Sequence, residues 1–344
     1  MSEKKLDEKS FYTILYCALF IVSLISPFFV SDLNTVKKVL MSVIVSVTFF
    51  GAKLFFDEFF KGKGAAFSFF ASMLFMFSPY RVFVSFEKAD IMISIALAIM
   101  PFYAWALLKT VKVKEKKIIF ALLAGVFIAA LSYTHFPIFT VMIAATITVI
   151  FVFRAWTVFA SLFIGIAVSV PAIIHMGRYL LFGGFEEMNY SLQSIMPGAY
   201  RFGSFFNSFL NIEENPGFGI GMLICLSIAV WNVLSRKNKD KKVSAFYFPI
   251  MGILCMILAS RKFPWEYVQR VGAPFLRYVG LWETPAFFAG LAYCFFTVPA
   301  GWAMGDISLI KDKKEGFGTD FWIRMFVIFI CFALYIYQCS MMVY

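Results

Sequence analysis

Residues 78–90, SPYRVFVSFEKAD, place ionisable side chains between two long apolar runs. Arg81, which follows Tyr80, carries a planar guanidinium that suits phosphate. Glu87 and Asp90 could accept a proton from a hydroxyl group, and their spacing of three would put them on one face of a helix. Charged groups near membrane depth are costly unless they pair or face a cavity. The segment is therefore either an ion-pair cluster or part of a site.

Three other stretches carry polar groups where apolar runs end. Asp32, in FFVSDLNT, is either the N-cap of the next helix or a reactive carboxylate. His135 closes an apolar run in LSYTHFP. The stretch RKFPWEYVQRVGAPFLRYVGLWETP combines Trp265 with Arg270 and Arg277. This stretch is either an interfacial aromatic belt or a cleft where aromatic faces meet sugar rings and arginines meet phosphate.

The elements that must position these residues are membrane helices. Hydrophobic residues make up 61% of the 344 residues, and the mean hydropathy is +0.83. Soluble domains are only roughly 45–50% apolar. Apolar runs near the roughly 20 residues that cross a bilayer recur along the whole chain. They predict an all-α polytopic membrane protein with a single domain, 1–344.

We predict about eleven transmembrane helices, within a range of ten to twelve. The third and fifth apolar runs are short, so a re-entrant or tilted segment is an alternative there. Residues 177–216 form a long outer loop whose aromatics suit an interfacial helix. The predicted spans are 11–30, 39–56, 65–79, 91–108, 118–133, 137–153, 155–176, 217–235, 243–260, 279–300 and 320–340.

The distribution of lysine and arginine predicts the orientation of the chain. Lysine-rich segments alternate with segments that hold most of the arginines, and lysine-rich loops favour the cytoplasmic side. We expect a multi-pass protein of the cell membrane, with its N-terminus in the cytoplasm and its C-terminus outside. The net charge of +11 then comes mainly from short inner loops, and it indicates no nucleic-acid partner. Membrane lipids are the expected contacts of those loops.

Several soluble-enzyme classes are excluded by the motifs. The sequence contains no G-x-x-x-x-G-K-[ST], H-E-x-x-H or G-x-S-x-G. Its six cysteines form no C-x-x-C pair, so the sequence predicts neither a zinc site nor a disulfide framework. We predict no metal ligands.

The stretch SMLFMFSPYR, followed by IALAIMPFYAWALL and by LSYTHFP, resembles a segment of bacterial YfhO-like membrane proteins. It is also similar to the membrane family described as 6-pyruvoyl-tetrahydropterin-synthase-related. Ser78, Pro79, Tyr80 and Arg81 carry the match, and WEYVQRVGAPFLRYVGLWETP is similar to a later family segment. These families resemble GT-C glycosyltransferases, so the resemblance implies a GT-C-like helical bundle.

The resemblance implies transfer of a sugar from a polyprenyl-phosphate donor on the outer face, in cell-envelope glycan assembly. Asp32, or else Asp90 or Glu87, would be the catalytic carboxylate. Substrate contacts would come from Arg81, Tyr80, His135, Trp265, Arg270 and Arg277. A lipid-linked sugar donor is implied and no other cofactor; a divalent metal is compatible with this chemistry but not required. Envelope glycan enzymes are the implied protein partners.

A non-catalytic role is the alternative. The families usually have a long first outer loop with an acidic residue, whereas here that loop is reduced to SDLNTVKK. The residues after SPYR are also shifted in order, as FEKAD. The same bundle could then serve as a carrier or flippase of lipid-linked glycans, or as a scaffold subunit.

Overall fold

The computed structural model describes residues 8–30, 33–113, 115–178, 205, 218–235, 244–264 and 286–308, together with Phe326 and Phe329. Within these residues every regular element is helical. A 3₁₀ turn (Ser26–Phe29) follows α1, and a π-helical turn (Phe83–Glu87) continues α4. The helices are α1 (Glu8–Ile25), α2 (Thr35–Phe59), α3 (Ala65–Met76), α4 (Pro79–Val82), α5 (Ile91–Lys112), α6 (Lys117–Thr134), α7 (Phe136–Phe153), α8 (Val158–Arg178), α9 (Gly219–Ser235), α10 (Ser244–Ala259) and α11 (Ala286–Ser308).

The described helices confirm an all-α polytopic membrane protein. Seven are long and apolar enough to span a bilayer, or eight if the bent pair of α3 and α4 forms one span. Ten of the eleven predicted spans overlap a helix, although α9 and α10 have only 17 and 16 residues and α11 extends past the predicted end at residue 300. The predicted span 320–340 lies outside the described residues, apart from Phe326 and Phe329.

Helix α11 is the most enclosed of the seven. In it 83% of the apolar window is buried, against 28% in α1 and in α8. Helices α3, α9 and α10 pack on α11, α2 packs on α3 and α5, and α6 packs on α5 and α8. A helix that is hydrophobic on all sides is typically buried among other helices. The outer helices instead turn large apolar side chains such as Ile118 and Phe163 outward, as a bilayer requires.

Two glycines let α3 and α11 approach closely. Gly301 and Gly305 are four residues apart, so they lie on one face of α11. A Cβ on Gly301 would lie 2.4 Å from the Cβ of Ala71, and one on Gly305 would lie 2.4 Å from Cγ of Phe67. Small residues at this spacing are typical of tight helix pairs in membranes. The contact fixes α3 against the centre of the bundle.

Polar loops gather at the two ends of the bundle. At the end that carries Lys61, the Nζ atom of Lys112 donates to the carbonyl oxygen of Glu58 (2.7 Å), and Lys109 pairs with the Glu58 carboxylate (2.5 Å). We call this the Lys61 end. The opposite end, which carries residues 78–90 and His135, is called the Arg81 end. The described loops that we predicted to be cytoplasmic lie at the Lys61 end.

Candidate functional site

A sharp bend after α3 positions Tyr80 and Arg81. Pro79 disfavours helical backbone at the residue before it, and Ser78 is accordingly extended, with φ −59° and ψ 134°. The helix stops there and resumes in α4 at 43° to α3. The third predicted span is therefore broken by a bend, which is either a break within one span or a re-entrant segment. Both Tyr80 and Arg81 are buried.

Arg81 is held on the end of α3. Its Nη1 atom donates a hydrogen bond to the carbonyl oxygen of Met76, the last residue of α3. The last four carbonyl groups of a helix have no partner within the helix. The bond to Met76 therefore satisfies a helix end and fixes the direction of the guanidinium.

Tyr80 lies against the first turns of α11. A Cβ on Gly290 would lie only 2.2 Å from Cδ1 of Tyr80, so glycine is required for this contact. Phe287, three residues before Gly290 on the same helix face, packs its ring 5.5 Å from the ring of His135. Tyr80 and His135 therefore both lie near the first turns of α11, and Arg81 is the residue after Tyr80 in α4.

His135 is the single residue between α6 and α7. Its Nδ1 atom accepts a hydrogen bond from the backbone N–H of Ile138 (3.3 Å), which caps the start of α7. Because Nδ1 is the acceptor, a neutral ring carries its proton on Nε2. The turn between α6 and α7 is therefore tight, and its histidine has a structural role in addition to any contact with a ligand.

The two carboxylates after SPYR do not lie on one helix. Glu87 ends the π-helical turn, Ala89 has a left-handed φ of 49°, and Asp90 is the N-cap of α5. The Asp90 Oδ1 atom accepts from the backbone N–H of Ile93 (3.0 Å), and within the described residues Asp90 makes no ion pair with Arg81. The prediction that Glu87 and Asp90 share a helix face is wrong, because the backbone breaks between them.

The remaining predicted site residues are outside the described part of the chain. They are Asp32, Trp265, Arg270 and Arg277, together with the side chain of Glu87 and residues 179–204 and 206–216 of the long loop. The interpretation of Asp32 as the N-cap of the second helix is wrong: Asn34 is the N-cap of α2, and its Oδ1 atom accepts from the Lys37 N–H (2.9 Å).

A second polar cluster was not predicted, and it lies at the Lys61 end. Asp57 accepts a hydrogen bond from Ser68 on Oδ1 and one from Lys53 on Oδ2. The Lys53 ammonium also lies 4.7 Å from the ring centre of Tyr16. The only signal in the sequence is the spacing of four between Lys53 and Asp57, because Tyr16 and Ser68 come from other helices.

The described polar side chains at the Arg81 end include a guanidinium, a phenol and an imidazole. Among the described residues no three His, Cys, Asp or Glu side chains come together as a metal site. Comparison with protein-family models, with curated proteins and with solved structures finds no match to this chain.

Proposed function

We propose that this protein binds a sugar carried on polyprenyl phosphate at its Arg81 end and transfers the sugar, as a GT-C-like glycosyltransferase of envelope glycan assembly. One observation carries the proposal: Tyr80, which is next to Arg81 in α4, and His135 both lie near the first turns of α11. These residues come from two separate stretches of chain, SPYR and LSYTHFP, and the sequence analysis selected all three as substrate contacts.

Arg81 is the phosphate contact in this proposal. A guanidinium has five N–H donors in a rigid fork, and it can bind phosphate oxygens while keeping a bond to a carbonyl. A buried arginine within a membrane bundle is also a functional signal, because its charge is costly there. The bond to the Met76 carbonyl holds the guanidinium in one orientation before substrate arrives.

The reaction requires a base and a leaving group. The acceptor hydroxyl oxygen attacks the anomeric carbon, its proton passes to a carboxylate, and the bond from that carbon to the phosphate oxygen breaks. The electron pair stays on the lipid phosphate, whose growing charge Arg81 stabilises. Asp90 already accepts a backbone N–H at the start of α5, so Asp32 and Glu87 are the stronger candidates for the base.

The test is sugar transfer from a polyprenyl-phosphate sugar by purified Arg81→Gln protein in nanodiscs. Loss of an electrostatic contact to the transition state should lower transfer by about 10²-fold or more. Arg81→Lys keeps the charge without the fork and should recover part of the rate. Lys88→Gln is the matched control, because Lys88 is an exposed cation in the same segment. Transfer unchanged in folded Arg81→Gln protein would overturn the proposal.

A carrier or scaffold for lipid-linked glycans is the second candidate, and the carboxylates favour it. Within the described residues Asp90 caps a helix, and Asp57 and Glu58 lie at the opposite end of the bundle. Asp32→Asn, Glu87→Gln and Asp90→Asn, made separately, distinguish the two candidates. Transfer retained in all three would exclude the catalytic roles, whereas movement of lipid-linked sugar lost in Arg81→Gln, without transfer activity in the wild type, would support a carrier.

A further inference from the structure

A cleft of about 1120 Å³ lies between α1, α2 and the start of α3 at the Lys61 end. Pockets for drug-sized ligands are roughly 300–1,000 Å³, so this one can take a larger molecule. Its apolar wall includes Phe20, Ile21, Phe49 and Phe50, and its polar end includes Lys61. The side chains of Ile21 and Phe50 are about half exposed, at 55% and 51%. The cleft is therefore open along its length to the hydrocarbon of a bilayer.

The polar end of the cleft is organised by a chain of hydrogen bonds. Ser68 uses its one proton to donate to Asp57, so the hydroxyl of Tyr16 must be the donor in its 2.8 Å bond to Ser68. Lys53 donates to the other oxygen of Asp57. Both oxygens of the carboxylate are thus engaged, and its charge is offset by Lys53.

The charge that remains at this end is positive. The cleft is lined by two lysines, Lys53 and Lys61, and one acid, Asp57, so the lining has a net charge of 2 − 1 = +1. Lys61 is exposed and makes no ion pair within the described residues. Gly64 and Ala65, at the start of α3, also line the cleft, and no side chain caps that helix start. The positive end of a helix dipole favours an anion there.

We propose that this cleft binds one anionic glycerophospholipid of the leaflet at the Lys61 end. The phosphate lies at Lys61 and the start of α3, and an acyl chain lies along Phe20, Phe49 and Phe50. A lipid fits better than free phosphate because the apolar wall is part of the same cleft. The site is separate from the Arg81 end and does not depend on the function proposed for that end.

Native mass spectrometry of the delipidated protein, titrated with phosphatidylglycerol or phosphatidylcholine in micelles, tests the proposal. One phosphatidylglycerol should be retained more strongly than phosphatidylcholine. Lys61→Gln should weaken that retention about tenfold or more, because hydrogen bonds to charged groups are strong. Lys117→Gln is the matched control, since Lys117 is a lysine at the same end that does not line the cleft.

A second pair of variants tests the apolar wall. Cys17 and Ile14 are both exposed on α1, but only Cys17 lines the cleft. Cys17→Trp should block retention of phosphatidylglycerol, whereas Ile14→Trp should leave it unchanged. Equal retention of the two lipids, or no effect of Lys61→Gln, would overturn the proposal. Displacement of the lipid by millimolar inorganic phosphate would identify a site for free phosphate and would overturn the lipid assignment.

Discussion

At the scale of single residues, local backbone geometry decides what a carboxylate can do. Asp90 follows a left-handed residue, Ala89, and its side chain accepts the Ile93 N–H as α5 begins. From the sequence, Glu87 and Asp90 were equivalent acids three residues apart. The π-helical turn places Glu87 before the break in the helix and Asp90 after it. No residue type in FEKAD specifies that turn. The grouping of Tyr80 and His135 likewise depends on contacts with α11 that lie far away in the sequence.

The capping role of Asp90 gives a prediction at this scale. Asp90→Ala should lower the free energy of unfolding by about 1 kcal/mol, because the Ile93 N–H loses its side-chain acceptor. Asp90→Asn should be nearly neutral, since asparagine caps as well as aspartate. Thermal unfolding in detergent micelles measures both changes. Equal loss of stability in the two variants would show that the negative charge, rather than the cap, is what matters.

At the scale of elements, hydropathy predicted where the helices are, but it did not predict the bend after α3. The third span was short, so a re-entrant or tilted segment was one of the alternatives. The bend itself follows from Pro79, which disfavours helical backbone at Ser78. Packing was less predictable: Gly301 and Gly305 have the spacing of a tight helix pair, but the sequence does not say that α3 is the partner. The tight fit to Ala71 and Phe67 supplies that information.

The packing of α3 on α11 gives a second prediction. Gly301→Leu should lower the free energy of unfolding by about 3 kcal/mol, because the new side chain meets the backbone of Ala71, which cannot move aside by changing rotamer. Ala160→Leu is the control, since it adds a leucine at an exposed position of α8. Denaturant titration in mixed micelles compares the two. Equal stability of the variants would contradict the close approach of α3 and α11.

At the scale of the whole molecule, the charge pattern predicted how the loops are sorted between the two ends. The described lysine-rich loops share the Lys61 end, where Lys109 and Lys112 contact Glu58. The lipid cleft was not predicted, because it is built from three helices whose residues have no common motif. In the sequence, the spacing of four between Lys53 and Asp57 indicates only an ion pair on one helix. Tyr16 and Ser68 belong to other helices and reach this pair only when the bundle forms.

The orientation of the bundle remains a prediction, and it can be measured. Lys61→Cys and Lys88→Cys would be placed in a variant whose native cysteines are replaced by serine; both positions are exposed, at opposite ends. A membrane-impermeant maleimide should label Lys88→Cys in intact cells and Lys61→Cys only in inverted vesicles. Labelling of both from one side would contradict the arrangement of the ends. Reversed labelling would contradict an N-terminus in the cytoplasm.

The length of α3 has a consequence for how the proposed lipid-linked substrate would arrive. Its 12 residues rise only about 18 Å, whereas the hydrocarbon of a bilayer is about 30 Å thick. If α3 starts at one membrane surface, it ends short of the other, and Arg81 lies just beyond that end. A water-soluble sugar phosphate would have to leave water to reach the guanidinium. A phosphate attached to a prenyl chain is already close to that depth and can approach sideways from within the leaflet.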